Sequence, residues 1–409
     1  MKQTNRWVGA VFGVLILLFA GVVYAWSVLS GPIARQFTEW TTTQLSLTST
    51  LVMIFFCIGV LICGFIVSRI KPMYILWGSV VLYLVGFFIA SRATSLISLY
   101  ISFGVICGLG SGLAYNAVMS TVGKWFPDKQ GLISGVLLMG FGLGSFIIGI
   151  VYQAVTPDAA DAWRTSFLVL GIITAAVCLV SSFFIKRPGP DFVPPVSAQK
   201  KAAVPSVDVT TGKMLKKPQF WLYYVWAILL SAAGLALVFQ SRGIAGEIGP
   251  TVAAGTVAVV VGLISVFNGV GRVLLGGMYD KLGRSKTMLA VSVIFIVAGA
   301  ILIAALAAKS FVIMTIGFIV GGLAYSGVTP TNSAFTSGYF GMKHYPVNFS
   351  LVNSNLIFAS FGSTIAGALY DASKSFMSTF IMMIGLAVVG ILGSLLISAC
   401  DSRDRKKAQ

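Results

Sequence analysis

Charged residues are scarce in this chain of 409 residues, where Asp, Glu, Lys and Arg together make up only 10%. Soluble globular proteins devote roughly a quarter of their residues to charge, because water must wet their surface. Hydrophobic residues here reach 57%. The shortage of charge excludes an ordinary soluble domain and indicates a protein whose outer surface is covered by lipid.

Residues suited to catalysis, metal binding and cross-linking are also few. The chain has one histidine, His344, and no G-x-x-x-x-G-K-[ST] phosphate loop. Its five cysteines are Cys57, Cys63, Cys107, Cys178 and Cys400. They lie within or at the ends of apolar runs without paired or metal-type spacing, which predicts packing rather than disulfides. We expect no enzymatic activity and no cofactor.

Twelve apolar runs have the length needed to cross a bilayer as helices. We name them spans 1 to 12, near residues 7–29, 44–68, 73–91, 96–120, 131–152, 163–185, 219–241, 252–277, 287–306, 311–332, 346–369 and 375–398. Span 1 follows a basic segment and is too long for a signal-peptide core, so we expect it to be retained. The sequence therefore predicts an all-α membrane protein.

Two halves of six spans are indicated by one long polar gap and one internal repeat. The gap at 186–217 contains five prolines and seven basic residues. We predict a cytoplasmic linker there, between bundles 1–185 and 218–399, and a cytoplasmic tail at 400–409. The run Gly-Leu-Ala-Tyr occurs at 112–115 in span 4 and again at 322–325 in span 10. Pseudo-symmetric bundles of this kind place a substrate site between them, near the middle of the membrane.

The basic residues predict the orientation. With both termini cytoplasmic, 21 of the 28 Lys and Arg residues fall on cytoplasmic segments and six on the opposite side. This bias follows the positive-inside rule, and in a bacterium with two membranes the helical spans indicate the inner one. The basic residues lie in short gaps and form no continuous basic domain, so we expect no nucleic-acid partner.

A signature loop lies between spans 8 and 9. It reads Gly-Gly-Met-Tyr-Asp-Lys-Leu-Gly-Arg over residues 276–284, and it resembles the G-x-x-x-D-[RK]-x-G-[RK] loop of the major facilitator superfamily. The candidate gating residues are Gly276, Asp280, Lys281, Gly283 and Arg284. Asp280 can cap or pair at neighbouring helix ends, and Gly283 permits a tight turn. The first half has a decayed copy at 64–71, with Ser68 in place of the acid.

Further segments resemble the oxalate–formate exchangers and the related monocarboxylate carriers of that superfamily. They lie at 24–26, 125–131, 214–221, 268–272 and 331–333, so the resemblance covers nearly the whole chain. It implies the superfamily fold and a secondary transporter that works as a monomer.

Arg272 is the one basic residue in the interior of a predicted span, since Arg164 lies at the edge of span 6. Burying a guanidinium in a bilayer costs at least about 2.5–3.5 kcal/mol, so such a residue is usually functional and faces a cavity. The alternative is that it snorkels to the cytoplasmic face, since Asp280 follows about 12 Å further along a helix. The resemblance implies that Arg272 binds the substrate carboxylate, to which its planar fork of donors is suited.

Five further polar or aromatic positions are candidates for the same site. Asn268 lies one turn before Arg272 and shares its helix face. Tyr24, Tyr115 and Tyr325 could supply hydroxyls and apolar walls, with ordinary packing as the alternative. Asn353 from span 11 completes this set.

Span 11 also bears on the charge of the substrate. Its candidates Asn353 and Phe358 are neutral, whereas the resemblance implies a lysine in oxalate exchangers at a position matching about Leu356. One cation suits a monoanion, so a monocarboxylate such as lactate or pyruvate is favoured over oxalate.

Acidic residues all fall outside the predicted spans, so no carboxylate relay crosses the membrane. We predict alternating-access transport of a small monocarboxylate with a proton, carried on the substrate or on a rim acid such as Glu247 or Asp371. The alternatives are an obligate anion exchanger of the oxalate–formate type and, more distantly, a membrane sensor with the same fold. The sequence leaves open which acid is carried, and in which direction.

Overall fold

The structure is a computed structural model that describes residues 6–40, 42–156, 161–189, 192 and 208–408. Part of the predicted linker, residues 190, 191 and 193–207, lies outside the described residues, as do residues 1–5. Within the described ranges all regular secondary structure is helical.

The first half contains spans 1 to 6, several of them built from more than one helical segment. Span 1 comprises Arg6–Ala20, Gly21–Tyr24 and Trp26–Gln36, and span 2 is Thr42–Ile66. Span 3 is Pro72–Ser91, and span 4 runs through Leu96–Leu99, Tyr100–Cys107, Gly108–Val122 and Gly123–Trp125. Span 5 is Gln130–Val155 and span 6 is Ala162–Ser182.

The second half begins with a short helix, Thr211–Leu215, which precedes span 7 at Pro218–Ile248. Spans 8 and 9 lie within one helical segment, Ala254–Ala308. Span 10 comprises Phe311–Ser326 and Val328–Phe340, and span 11 comprises Tyr345–Asn353, Asn355–Ala359 and Phe361–Ser373. Span 12 is Met377–Ala408.

Ten helices in the described ranges are long and apolar enough to cross a membrane, and they account for eleven of the twelve predicted spans. One of the ten, Gly255–Ala308, contains spans 8 and 9. Gly283 separates these two spans, because its φ of 79° and ψ of 177° are not helical. Few residues with a side chain adopt that φ, so the turn relies on glycine. Span 11 is absent from the ten because its helix is interrupted at Ser354 and Ser360.

Several helices extend beyond the predicted apolar runs. Span 7 ends at Ile248, span 10 at Phe340 and span 12 at Ala408, whereas the apolar runs end at 241, 332 and 398. Hydropathy reports where lipid contact ends, but a helix continues as long as its backbone hydrogen bonds are made. As one consequence Glu247, predicted to lie outside the spans, occupies the last turn of the span 7 helix.

Two hydrophobic cores hold the fold together. One is formed by residues between 10 and 185, and the other by residues between 209 and 397. Three residues of span 11, Tyr345, Phe349 and Leu356, belong to the core of the first half. Tyr24 packs against both cores. One face of span 11 and the middle of span 1 therefore lie at the boundary between the halves.

The repeated glycines occupy equivalent positions in the two halves. A Cβ added to Gly112 in span 4 would collide with the carbonyl oxygen of Phe56 in span 2. A Cβ added to Gly322 in span 10 would collide with the carbonyl of Ile264 in span 8. Small residues allow membrane helices to approach this closely, and the matching contacts reflect the internal repeat.

Spans 5 and 8 form a close crossing between the halves. A Cβ on Gly131 would strike the carbonyl oxygen of Gly276, and one on Gly276 would strike the carbonyl of Gly131. Further along, a Cβ on Gly142 would lie 3.1 Å from the Cα of Gly269. The two halves therefore meet backbone to backbone, with little side-chain volume between them.

The connection between spans 4 and 5, the start of the linker after span 6 and the connection between spans 8 and 9 lie with Arg6 on one face of the bundle, which we name the terminal face. There Arg6 forms an ion pair of 3.0 Å with Asp128, and the Trp125 indole donates to the carbonyl of Lys186. The backbone N–H of Lys343 donates to Asp208 at 3.1 Å. The signature loop lies on the same face.

Candidate substrate site between the halves

Arg272 lies at the interface of the halves and is buried, with a relative exposure of 1%. Its Nη1 donates a hydrogen bond of 2.7 Å to the backbone carbonyl of Leu138 in span 5. Gly135 and Gly142, one on each side of Leu138 in sequence, leave the space that span 8 needs. A Cβ on Gly142 would lie 3.3 Å from the guanidinium carbon of Arg272. The side chain thus enters the interface and does not snorkel to the terminal face.

Aromatic rings of the first half form a wall beside this guanidinium. The Phe141 ring centroid is 6.0 Å from the guanidinium carbon of Arg272. Tyr24 and Tyr115 each pack edge-on against Phe141 at 5.3 Å, and Phe56 packs against Tyr115 at 5.1 Å. An aromatic face attracts a cation weakly at this distance, so the wall tolerates the charge without neutralising it.

Four of the predicted site residues, all in the second half, have buried polar atoms without a hydrogen-bond partner in the described ranges. The atoms are Nε of Arg272, Oδ1 of Asn268, the hydroxyl of Tyr325, and both Oδ1 and Nδ2 of Asn353. The charge of Arg272 acts on the Tyr325 hydroxyl and also on that of Tyr24. The two hydroxyls are neighbours. Buried polar groups are rarely left unpaired, so this cluster is suited to a polar ligand.

Asn353 occupies the face of span 11 that is turned toward the first half. Its neighbours on that face, four residues before and three after, are Phe349 and Leu356, which belong to the core of the first half. Phe349 stacks on Tyr115 with ring centroids 5.9 Å apart. The Asn353 carbonyl accepts a weak hydrogen bond from Cys57 Sγ at 3.9 Å. Asn353 therefore lies beside the aromatic wall, and its side chain is fully buried.

Phe358 is placed elsewhere. It is 56% exposed, and its ring contacts that of Tyr224 edge-on at 6.4 Å. Phe361 and Ile365, which follow at helical spacing, are also more than half exposed. Phe358 thus belongs to the outward face of span 11, and the structure does not bring it to the group around Arg272.

The signature loop closes the interface at the terminal face. The carboxylate of Asp280 accepts hydrogen bonds from the backbone N–H groups of Gly131 at 2.8 Å and Leu132 at 2.7 Å. These two N–H groups lie in the first turn of span 5, where no intrahelical acceptor is available and a negative charge is favourable. One half therefore caps a helix of the other.

Arg284 acts within the second half. Its Nη2 lies 2.9 Å from Asp401 in an ion pair and 3.1 Å from the Ser398 hydroxyl. Tyr339 also donates to Asp401. These contacts join span 9 to spans 10 and 12. Lys281, in contrast, is exposed.

A second closure at the terminal face was not predicted from the sequence. The Asn116 amide of span 4 donates to the carbonyl of Val60 at 2.8 Å and, across the interface, to that of Pro346 at 3.3 Å. A Cβ on Gly64 would lie 2.6 Å from the hydroxyl of Ser350 in span 11. Neutral contacts thus close the side of the interface where Ser68 replaces the loop acid.

A further series of contacts connects this closure to the aromatic wall. The Ser134 hydroxyl of span 5 donates to Ser333 of span 10 at 2.6 Å, and Ser333 lies 2.7 Å from the Tyr345 hydroxyl. Tyr345 stacks on Phe349 at 5.1 Å, and Phe349 in turn stacks on Tyr115. Buried serines in apolar runs are common, so no signal in the sequence identified this chain of contacts.

Nearly the whole chain matches one family model, described as Major Facilitator Superfamily, over residues 11–242 and 239–408. The chain belongs to the major facilitator superfamily. Members of this superfamily are transporters, so the protein is a multi-pass membrane transporter and not an enzyme.

Relatives within the superfamily confirm the branch expected from the motifs. The chain is 29% identical to the oxalate:formate antiporter of Oxalobacter formigenes, over 83% of this chain and 80% of the antiporter. It is 27% identical to YhjX, an uncharacterized MFS-type transporter of Escherichia coli strain K12, over 86% and 84% of the two chains. A segment of 94 residues is 38% identical to monocarboxylate transporter 12 of Mus musculus, covering 23% of this chain and 19% of that protein.

Solved structures confirm the superfamily fold. The proton:xylose symporter XylE superposes with a TM-score of 0.75 over 96% of this chain and 95% of its own, at 13% identity. FucP in the outward conformation gives a TM-score of 0.64 over 94% and 98% of the two chains, at 14% identity. The superfamily fold has twelve membrane-spanning helices in two bundles, which accounts for the two cores described above.

Proposed function

We propose that this superfamily transporter carries a small monocarboxylate such as lactate or pyruvate, together with a proton, across a bacterial inner membrane. The termini and the terminal face lie on the cytoplasmic side in this proposal. The observation that carries it is the buried guanidinium of Arg272, which lies between the halves with an unpaired Nε.

The charge of Arg272 supports an anionic substrate. Its hydrogen bond goes to a neutral carbonyl, and the two described ion pairs join Arg6 with Asp128 and Arg284 with Asp401. A buried cation without a carboxylate partner is costly. A bound carboxylate would supply the missing negative charge and accept two parallel hydrogen bonds from the guanidinium.

The single positive charge of Arg272 favours a monoanion as the substrate. The predicted site residue on span 11, Asn353, is neutral, and the wall beside Arg272 is aromatic. A dianion would leave one negative charge unpaired in an apolar surrounding. The names of two relatives, an oxalate:formate antiporter and a monocarboxylate transporter, support a small carboxylate as cargo.

The placement of the closures supports alternating access. Asp280, Asn116 and Gly64 hold the halves together at the terminal face, so the substrate would enter from the opposite side. Binding of the anion would replace the contact between Arg272 and Leu138. The halves would then rock about the crossing of spans 5 and 8 and open the terminal face.

Uptake of labelled L-lactate into proteoliposomes, with and without an inward proton gradient, tests the proposal. We expect the gradient to stimulate uptake, and Arg272→Ala to abolish it while the protein still inserts and folds. Arg242→Ala is the matched control, because it removes an exposed arginine and should transport normally. Normal uptake by Arg272→Ala would refute the site.

A second candidate, obligate anion exchange, is favoured by the 29% identity to an antiporter over most of the chain. Uptake would then require vesicles preloaded with another carboxylate and would not respond to the proton gradient. The same vesicles therefore distinguish the two mechanisms.

A further inference from the structure

Asn353 has an unusual environment for a buried amide. Its relative exposure is 0%, and neither end of its side chain has a hydrogen-bond partner among the described residues. The neighbouring Ser354 and Asn355 are paired with span 7, through Tyr224 at 2.8 Å and Ser231 at 3.3 Å. Span 11 thus satisfies the polar groups on its inner face and leaves unpaired the one that faces the other half.

The Asn353 side chain needs both a hydrogen-bond donor and an acceptor as partners, whichever way its oxygen and nitrogen are assigned. A carboxamide has one donating end and one accepting end, and exchanging the two leaves one of each unpaired. A carboxylate accepts hydrogen bonds but donates none. A ligand that satisfies Asn353 must therefore carry a group that donates as well as one that accepts.

A second unpaired acceptor lies beside the carboxylate position. Oδ1 of Asn268, one helical turn before Arg272, has no partner in the part of the chain that is described. Arg272 offers only donors. The buried cluster therefore combines donors for a carboxylate with acceptors that a carboxylate leaves unpaired.

We propose that the site selects 2-hydroxy monocarboxylates over the matching 2-oxo acids, with Asn353 as the specificity-determining residue. This inference rests on the proposed function. The hydroxyl of a 2-hydroxy acid donates to the accepting end of the amide and accepts from the donating end. A 2-oxo group only accepts, so it leaves a buried acceptor unpaired. Sites built to bind a substrate hydroxyl discriminate strongly against analogues that lack it.

Two other donors could meet the same need, and each makes a different prediction. A trapped water donates and accepts, and it would serve both classes of acid equally. A protonated carboxyl group would also be common to both. In either case the transporter would not distinguish a hydroxy acid from its oxo analogue.

The test uses two pairs of acids of matched size, L-lactate with pyruvate and glycolate with glyoxylate. Initial uptake into proteoliposomes gives kcat/KM for each. We expect the wild type to prefer the hydroxy acid of each pair by at least about tenfold. Asn353→Leu keeps the side-chain shape without polar atoms, and it should lower hydroxy-acid uptake to the level of the oxo acid. Asn348→Ala is the control, because Asn348 is already paired with Val209 and Thr211 and should not change the ratio.

Each outcome has a distinct meaning. Equal wild-type uptake within each pair, abolished by Arg272→Ala, would overturn the selectivity and leave the proposed function standing. A wild-type preference retained in Asn353→Leu would overturn the role of Asn353. Failure of the wild type to carry any of the four acids would overturn the proposed function itself. If Asn353→Leu does not fold, the wild-type ratios still decide the selectivity, and Asn353→Ser, which retains a hydroxyl donor and acceptor, should preserve part of it.

Discussion

The guanidinium of Arg272 donates a hydrogen bond of 2.7 Å to the backbone carbonyl of Leu138. The two residues belong to different halves, so this bond joins the halves at the level of the candidate site. A carbonyl is a neutral acceptor, and a carboxylate makes a hydrogen bond of about twice the strength with the same donor. In the proposed mechanism an arriving anion would replace this contact by a stronger one, which would couple substrate binding to the release of span 5.

The space around that guanidinium can be tested with Gly142→Ala. The added Cβ would lie 3.3 Å from Arg272 Cζ and 3.1 Å from the Cα of Gly269, so the guanidinium must shift. Overpacking of this kind costs about 1–3 kcal/mol, and we expect KM for lactate to rise about tenfold. Uptake at varied concentration measures it. Gly78→Ala, where no atom lies within 4 Å of the added Cβ, should leave KM unchanged. An unaltered KM in Gly142→Ala would contradict the position of Arg272.

Asp280→Asn should weaken the cap on span 5. The substitution keeps the size of the side chain but removes its charge, and hydrogen bonds to charged groups contribute about 1.5–3 kcal/mol. We expect the population open at the terminal face to rise about tenfold. The rate of alkylation of a Ser134→Cys reporter reports this opening, because Ser134 is buried in the closed interface. Lys281→Gln changes an exposed charge in the same loop and should not alter the rate. Equal rates in Asp280→Asn and its parent would refute the cap.

Gly64→Ala should hinder closure on the other side of the interface. The new Cβ would lie 2.6 Å from the Ser350 hydroxyl and 2.8 Å from the Pro346 carbonyl oxygen, and the backbone of Pro346 cannot yield easily. We expect the maximal rate of uptake to fall about tenfold, and the Ser134→Cys reporter to become more reactive. Gly385→Ala, which has open space around the added Cβ, provides the control. A reporter that stays protected in Gly64→Ala would show that span 11 adapts.

Asp401→Asn should lower stability and leave substrate affinity intact. Asp401 accepts from Arg284, whose side chain is only 8% exposed, and removing one partner leaves a charge largely buried. We expect a loss of about 1–3 kcal/mol, measured as a lower midpoint of thermal unfolding in detergent. Arg403→Gln, an exposed position on the same helix, should have no effect. A changed KM with an unchanged midpoint would assign this ion pair to transport.

The twelve spans could be predicted because lipid contact requires long apolar runs, and those runs are visible in the sequence. Their ends could not, since helices such as span 7 continue past the apolar run to Ile248. The interruptions of span 11 at Ser354 and Ser360 were also unreadable, because serine is tolerated within membrane helices. These interruptions matter, since they set which residues face the other half.

Arg272 could be predicted as a candidate site residue because a cation within a membrane span is rare. Its partner Leu138 could not, since the acceptor is a backbone carbonyl that any residue supplies. We predicted Phe358 as a site residue only from its position in span 11. Nearly all residues of that span are apolar or small, so the sequence does not reveal the rotation of the helix, and the structure turns Phe358 outward. The contact of Asn116 across the interface could not be predicted either, because its acceptor is the backbone carbonyl of Pro346.

Among the described residues, the unpaired polar atoms of the candidate site belong to spans 8, 10 and 11 of the second half, whereas the first half contributes aromatic rings. In the proposed mechanism the substrate would therefore stay bound to the second half while the aromatic wall of the first half rocks away from it. The same donors would hold the substrate in the inward-open and the outward-open state. Its dissociation constant should therefore be nearly equal from the two sides of the membrane. Such a carrier would be reversible, and the ion and solute gradients of the cell, not the protein, would set the direction of net flow.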